Sequence, residues 1–212
     1  WGIRLSVPSD PRYSSLWDIN VVLRLFQSWR PNKYLSRNEL SGKLVILLCL
    51  VSCRRVSDVR ALDLSGRVFT PQGVSFHINR RTKSSSRVVS HPAFPDVPKL
   101  CVVRCLKAYE EMTEDLRPAG EDRVLIALTK PHKAVSSPTI AHWVRLVLQE
   151  AGIDTKRFGA HSARGTMGSK AFPVDARLED ILNAADWSSD SSCKKFYFKP
   201  VVDMDSLVVS KL

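Results

Sequence analysis

The sequence feature that most constrains this chain is an uninterrupted apolar run, Leu44–Val51, inside a segment with helix-start signals. Ser36 is a residue type that caps helices, and Glu39 follows it by three positions, which is the spacing of a capping box. A helix that begins there and ends near Ser52 is apolar on nearly every side, so other elements must enclose it. We therefore predict a central core helix within a mostly helical domain.

Apolar residues at helical spacing predict further helices over Ser15–Trp29, Ser57–Leu62, Asp96–Leu116, Ser137–Gly152, 161–171, 177–185 and 190–198. In the Ser137–Gly152 helix we expect the core residues Trp143, Leu146 and Val147. Alternating segments between turn signals predict three strands, Arg67–Phe69, Val74–Asn79 and Arg87–Ser90. The predicted fold class is α+β, mostly helical, with one small antiparallel sheet.

The balance of charge indicates a polyanionic partner. The chain has 32 Lys and Arg against 21 Asp and Glu, a net charge of +11 and a pI near 9.7. Such a surplus attracts polyanions and accelerates encounter with them. The longest apolar run is too short to cross a bilayer. The five cysteines show no metal-ligand spacing, so we expect reduced thiols, no metal site and an intracellular protein.

A series of residues along the chain has the chemistry needed to act on a phosphate. His161 and Arg164 are three positions apart, which places them on one face of a helix. Arginine offers a planar fork of donors to phosphate oxygens, and histidine moves protons near neutral pH. Tyr197 follows in a helical-looking run and can act as a covalent nucleophile. Taken alone, the His-x-x-Arg pair fits a buried histidine and a surface arginine better than it fits a catalytic pair.

In chain order, the full set of such residues is Arg55, Asp58, Lys83, His161, Arg164, Trp187 and Tyr197. Arg55 follows the central helix, and Lys83 sits in a polar turn between two predicted strands. This order resembles the tyrosine recombinase family, whose catalytic set runs Arg, an acidic residue, a hairpin Lys, His-x-x-Arg, a His or Trp, and a nucleophilic Tyr. The resemblance extends from about Ser36 to Pro200. It implies the fold of the tyrosine recombinase catalytic domain, with no cofactor and no metal.

The resemblance also implies a role for each residue. Tyr197 is expected to attack a DNA phosphodiester and form a 3′-phosphotyrosine, which allows religation without ATP. Arg55 and Arg164 are expected to bind the non-bridging oxygens, and Lys83 to protonate the leaving 5′-oxygen. His161 would act on the Tyr proton or position the phosphate. Trp187 would donate a hydrogen bond or pack against Tyr197, and Asp58 would hold Arg55 or a neighbouring backbone group in place.

The expected partner is double-stranded DNA, with self-association on DNA into a dimer or tetramer. Basic residues near the proposed catalytic positions are candidate DNA contacts: Arg54, Arg81, Arg87, Lys194 and Lys195. We expect residues 1–35 to be a lead-in or remnant of a core-binding domain, 36–200 the catalytic domain, and 201–212 a tail helix. In that tail, an apolar stripe at helical spacing consists of Met204, Leu207, Val208 and Leu212.

A narrower likeness concerns the branch of the family. The segments Leu62-Asp63-Leu64 and Ala185-Asp186-Trp187-Ser188-Ser189 look like those of DIRS-like and Crypton-type eukaryotic mobile-element recombinases, in which Trp replaces the commoner second His. Integration or transposition of a mobile element, including a retrotransposon, is then the implied setting. The implied location is nuclear in a eukaryote, and otherwise the cytoplasm or nucleoid.

Three other functions remain open from the residues. The first is a domesticated domain that binds DNA without cutting it. The second is a type IB topoisomerase, which shares phosphotyrosine chemistry but relaxes supercoils instead of joining two duplexes. The third is a protein-interaction module with no role on DNA.

Overall fold

The computed structural model describes residues 15–52, 55–78, 88–160, 162, 166 and, as backbone, 201–202. This part of the chain is mostly helical and carries a small antiparallel sheet, so the predicted fold class is confirmed. The helices predicted over 177–185 and 190–198, and most of the one over 161–171, lie outside the described residues.

The described chain begins with a short strand and a helix. Strand β1 is Leu16–Trp17, and helix α1 is Ile19–Ser28. Asp18 caps α1, because its carboxylate accepts a hydrogen bond from the Asn20 N–H at 3.0 Å. The predicted Ser15–Trp29 helix therefore exists, but it begins later than predicted. Its buried face joins the main core through Ile19, Val22 and Phe26.

The central helix, α2, spans Arg37–Ser52 and is buried along nearly its whole length, as predicted. Its capping box is also confirmed: the Ser36 N–H donates to Glu39 Oε2 at 2.6 Å, and the Glu39 N–H donates to Ser36 Oγ at 3.3 Å. These bonds lower the pKa of Glu39 below its usual value. Four orphan N–H groups begin any helix, so this cap fixes where the core helix starts.

Three further helices surround α2. They are α3 (Val56–Arg60), α4 (Val102–Thr113) and α5 (Ser137–Glu150). All three pack against α2, and α3 also packs against α5. The helix predicted to end near Leu116 is interrupted: 3-10 turns at Pro98–Leu100 and Glu114–Leu116 flank α4. Gly152 follows α5 with a positive φ of 77°, the left-handed conformation expected for a helix end.

The sheet is antiparallel in the order β2 (Arg67–Thr70), β3 (Gly73–His77) and β4 (Val88–Pro92), close to the predicted strands. Its inner face packs toward the core through Val74, Phe76 and Val89. A Cβ on Gly73 would lie 2.2 Å from the His91 carbonyl oxygen, so only glycine allows this approach of β3 to β4.

A fifth strand, β5 (Val201–Val202), pairs in parallel with β1. Leu16 lies opposite Val201, and Trp17 lies opposite Val202. This pairing holds the start of the predicted first helix in an extended conformation. Residues 203–212, which contain most of the predicted tail helix, lie outside the described residues.

Candidate active site

Arg55 is the proposed catalytic residue whose position the structure gives most directly. It is the N-cap of α3, with extended backbone angles (φ −75°, ψ 153°), and its side chain is half-buried. Val56 and Val59, on the inner face of α3, are buried. Burial of these two neighbours fixes the direction in which α3, and therefore Arg55, leaves the core.

Asp58 holds the backbone of Arg55. Its Oδ2 accepts the Arg55 N–H at 3.2 Å, and the Asp58 N–H donates to the Arg55 carbonyl oxygen at 2.9 Å. The Asp58 side chain is only 4 % exposed, so its carboxylate is not a surface charge. A carboxylate in the first turn also interacts favourably with the positive end of the helix dipole. Of the two roles expected for Asp58, the described contact is with backbone.

The segment after α3 is clamped by an arginine from a distant part of the chain. Arg123 forms an ion pair with Asp63 at 2.7 Å, and the same Nη1 donates to the Ala61 carbonyl oxygen at 2.9 Å. A second arginine, Arg117, donates to the carbonyl oxygens of Arg123 and Val124. These contacts anchor the end of α3 opposite Arg55, so both ends of this short helix are fixed.

The charge count of the sequence therefore overstates the cations available to a partner. Arg117 and Arg123 donate to main-chain carbonyl oxygens. Arg67 in β2 forms an ion pair with Glu110 in α4. Lys43 is fully buried in α2, where its Nζ donates to Asn32 Oδ1 at 2.9 Å. Burial lowers the pKa of Lys43, since the charged form is poorly solvated there.

A basic cleft of about 790 Å³ lies between α4 and the 3-10 turn Asn32–Tyr34. Its walls carry more cations than acids: Lys33, Lys99, Arg104 and Lys107 against Asp96 and Glu111. Three of these cations already have partners. Lys99 donates to the Gln27 carbonyl oxygen at 2.7 Å, Lys107 lies over the Phe69 ring at 5.0 Å, and Lys33 lies over the Tyr34 ring at 4.7 Å. Arg55 and Asp58 do not line this cleft.

The two strands that flank Lys83 in the sequence are paired in the sheet. Strands β3 and β4 are antiparallel neighbours, and His77 pairs with Val88 at the end from which the connecting segment leaves. Lys83 belongs to that connection, so its place between two paired strands follows from the topology. Lys83 itself, with Arg81 and Arg87, lies outside the described residues, and its catalytic role stays a prediction.

The remaining proposed positions also fall largely outside the described residues. These are the catalytic residues His161, Arg164, Trp187 and Tyr197, and the DNA contacts Arg54, Lys194 and Lys195. Ser162 and Thr166, which lie close to His161 and Arg164 in the sequence, are described, and both are buried. Arg55 and Asp58 are therefore the two proposed site residues that the described structure brings together.

Sequence reasoning missed one contact beside the His-x-x-Arg segment. The indole N–H of Trp17 donates to Ser162 Oγ at 2.8 Å, and that hydroxyl donates to the Gly159 carbonyl oxygen at 2.6 Å. Trp17 and Ser162 are each 1 % exposed. They are far apart in sequence, and no local pattern signals such a contact.

The described residues contain neither a metal-ligand cluster nor a membrane-spanning helix. Within the described ranges, no group of three or more His, Cys, Asp or Glu side chains is placed to hold a metal ion. Cys49, Cys101 and Cys105 are buried and unbonded to other cysteines, and burial raises the pKa of Cys105 to about 12. Among the described helices, none combines the length and apolar character required to traverse a membrane.

Comparison with solved structures identifies the fold. XerA recombinase aligns with a TM-score of 0.65 and 14 % identity over 96 % of this chain and 65 % of its own. XerH site-specific recombinase, bound to its palindromic difH substrate after cleavage, aligns with a TM-score of 0.67 and 15 % identity. That alignment covers 93 % of this chain and 52 % of the XerH chain. A lambda integrase dimer on a COC′ core site aligns with a TM-score of 0.56 and 16 % identity. That alignment covers 90 % of this chain and 61 % of the integrase chain.

The fold is that of the tyrosine recombinase catalytic domain. The catalytic core of lambda integrase, solved alone, is covered over 99 % of its length, with a TM-score of 0.50 and 13 % identity. The chain spans only 52 % to 65 % of the XerA, XerH and dimeric integrase chains. No protein-family model and no curated protein sequence matches it. The evidence for this fold is therefore structural.

Proposed function

We propose that this chain breaks and rejoins DNA strands through a covalent phosphotyrosine intermediate, with Tyr197 as the nucleophile. The observation that carries the proposal is the coincidence of two independent features. The described fold matches solved site-specific recombinases, and the family's catalytic residue types occur in the family's order along the sequence. A fold alone does not determine function, so the residue set is essential to the argument.

The described geometry supports the proposed role of Arg55. A guanidinium that binds a phosphate must be aimed, because its two parallel donors act only in one orientation. The Asp58 carboxylate fixes the backbone at Arg55, and the Arg123 clamp fixes the other end of α3. Arg55 is thereby presented from a rigid element, as preorganised stabilisation of a five-coordinate phosphorane requires.

The roles of His161, Arg164 and Lys83 rest on sequence position. Positions 161 and 164 share one face of a regular helix, because about one helical turn separates them. Both side chains would then be available to the same phosphate, with Arg164 binding non-bridging oxygens and His161 acting on the Tyr197 proton. Lys83, in the β3–β4 connection, would protonate the leaving 5′-oxygen.

We propose double-stranded DNA as the partner and self-association on that DNA. The net charge of +11 supports the first, and the DNA-bound integrase dimer supports the second by analogy. We further propose a eukaryotic mobile element of the DIRS-like or Crypton type as the source. That assignment rests on Trp187 and the Ala185–Ser189 segment.

The experiment uses duplexes that carry a nick and a randomised core, incubated with the whole chain. A nick lets the short 5′-hydroxyl strand diffuse away after cleavage, so the covalent intermediate accumulates. Denatured protein is recovered, and the attached DNA is sequenced. Recovery of an enriched sequence supports site-specific cleavage, and absence of covalent DNA above a Tyr197→Phe background contradicts it.

A second stage uses the enriched site to separate recombination from topoisomerase activity. Two duplexes of different length, each with one intact site, should exchange ends and give a product of intermediate length. Relaxation of a supercoiled plasmid without such exchange would assign the chain to the topoisomerase class. Specific retention of the site without any adduct would instead indicate a DNA-binding domain that does not cut.

A further inference from the structure

The short strand β1 is fastened to two segments that are distant from it in sequence. On one side its backbone pairs with β5, with Trp17 opposite Val202. On the other, the Trp17 indole donates to Ser162, and the hydroxyl of Ser15, the residue before β1, accepts from the Arg157 guanidinium. Residues 15–17 therefore form a bridge that connects Arg157 and Ser162 with residues 201–202.

The bridge is held mainly by Trp17. A parallel pair of two-residue strands is too short to be stable alone. Trp17 is among the largest fully buried side chains of the described chain, and its N–H is satisfied by the buried Ser162 hydroxyl. Removing one partner of that bond would leave the buried polar group of the other partner without it, which costs more than the bond itself contributes. Trp17 thus anchors β1 to Ser162.

Both fastened segments adjoin proposed catalytic residues. Ser162 directly follows His161, and β5 comes shortly after Tyr197 in the chain. We infer that Trp17 is a positioning residue, which sets the nucleophile segment against the His-x-x-Arg segment through β1. This inference rests on the proposed function. It assigns to the N-terminal strand a role in the chemistry that its sequence position does not suggest.

The chain offers a closely matched control in Trp29. Its indole N–H also donates a 2.8 Å bond, to Glu150 Oε1, and its ring lies in the same core. That bond joins the end of α1 to the end of α5. Trp17→Phe and Trp29→Phe therefore each remove one indole N–H bond and keep an aromatic ring. The Trp17 bond is buried and ends on a hydroxyl, whereas the Trp29 bond is part-buried and ends on a carboxylate. Only Trp17→Phe loosens the bridge between β1 and Ser162.

The test measures three quantities in both variants and in Ser162→Ala: stability, non-covalent DNA affinity, and the single-turnover rate of adduct formation on a nicked duplex. We expect Trp17→Phe and Ser162→Ala each to slow adduct formation about tenfold, the equivalent of one buried hydrogen bond. The double variant should be no slower than either, because both changes remove one bond. DNA affinity should stay unchanged, and Trp29→Phe should form adduct at the wild-type rate.

Amide hydrogen exchange provides a readout that does not need activity. Peptides spanning 196–202 should exchange faster in Trp17→Phe than in Trp29→Phe. If Trp17→Phe forms adduct at the wild-type rate and shows wild-type exchange, the positioning role is refuted. If the wild-type chain itself forms no adduct on any substrate while the exchange difference is present, the proposed function fails and the coupling through β1 stands.

Discussion

Replacing Asp58 by alanine should loosen Arg55 and slow cleavage by more than the accompanying loss of stability explains. The change removes the acceptor of the Arg55 N–H at 3.2 Å and a charge near the N-terminus of α3. A bond to a charged group contributes about 1.5–3 kcal/mol. Because Arg55 is half-buried, water can replace part of that bond, so we expect unfolding free energy to fall by about 2 kcal/mol.

The rate of adduct formation should fall by more than the increased fraction of unfolded protein explains. If Arg55 loses its orientation, one donor to the phosphorane is misplaced, and losing such a donor costs about 100-fold in rate. We expect a fall of roughly 10- to 100-fold in single-turnover adduct formation, with most molecules still folded. Asp58→Asn retains an oxygen acceptor of similar size and should be milder in both respects.

The matched control is Ser136→Ala, which removes the cap of α5. Ser136 Oγ accepts the Thr139 N–H at 3.3 Å, and loss of such a cap costs about 1 kcal/mol. Urea unfolding gives the stability of each variant, and denaturing gels give the adduct rate. Ser136→Ala should cleave normally despite its lower stability. If Asp58→Ala is destabilised but cleaves at the wild-type rate, Arg55 is not positioned by Asp58 for this reaction.

Changes at three other places test the remaining proposals. Arg164→Lys keeps the charge but loses bidentate geometry, and should lower the cleavage rate about 100-fold; near wild-type cleavage would make the arginine structural. Lys83→Ala should slow cleavage of ordinary DNA but recover on a substrate whose bridging 5′-oxygen is sulfur, because a thiolate leaves without a proton. Failure to recover would move the acid role to another residue, with His161 the next candidate. Deleting 203–212 should reduce multimer formation on DNA in gel-shift assays and spare binding of a single subunit; unchanged assembly would exclude a role for the tail.

Local signals predicted the elements that local chemistry determines. The Ser36–Glu39 capping box and the apolar run after it gave the start and the burial of α2, both confirmed. The strands of the sheet followed from alternation and turn residues, and their pairing is as predicted. In each case the stabilising contacts lie within a few residues, or between strands joined by a short connection.

Contacts between distant residues account for the errors. Residues 16–17 have helical spacing of apolar side chains, but pairing with β5 and the bond to Ser162 make them a strand. Leu146 was expected in the core and is 40 % exposed. The core face of α5, which packs against α2, instead consists of its buried residues Ile140, Trp143, Val144, Val147 and Leu148.

The candidate site likewise has features that the sequence predicts and features that depend on contacts between distant residues. Its residue types and order could be read from the sequence, and so could the hairpin topology around Lys83. The hydrogen bond from the Arg55 N–H to Asp58 is typical of a carboxylate in the first turn of a helix, so the sequence alone could predict it. The Arg123 clamp and the Trp17 bridge were not, because each joins segments whose proximity depends on the complete fold.

The measurement that tests the central claim most directly is the identity of the residue bonded to DNA. Adduct formed on a nicked duplex is digested with protease and nuclease, and the modified peptide is mapped by mass spectrometry. Two other tyrosines serve as internal controls: Tyr34 is 57 % exposed, and Tyr109 is buried with its pKa raised by desolvation. We predict modification at Tyr197 alone, loss of adduct in Tyr197→Phe, and normal adduct in Tyr34→Phe. Adduct at Tyr13, Tyr34 or Tyr109, or adduct that persists in Tyr197→Phe, would contradict the account.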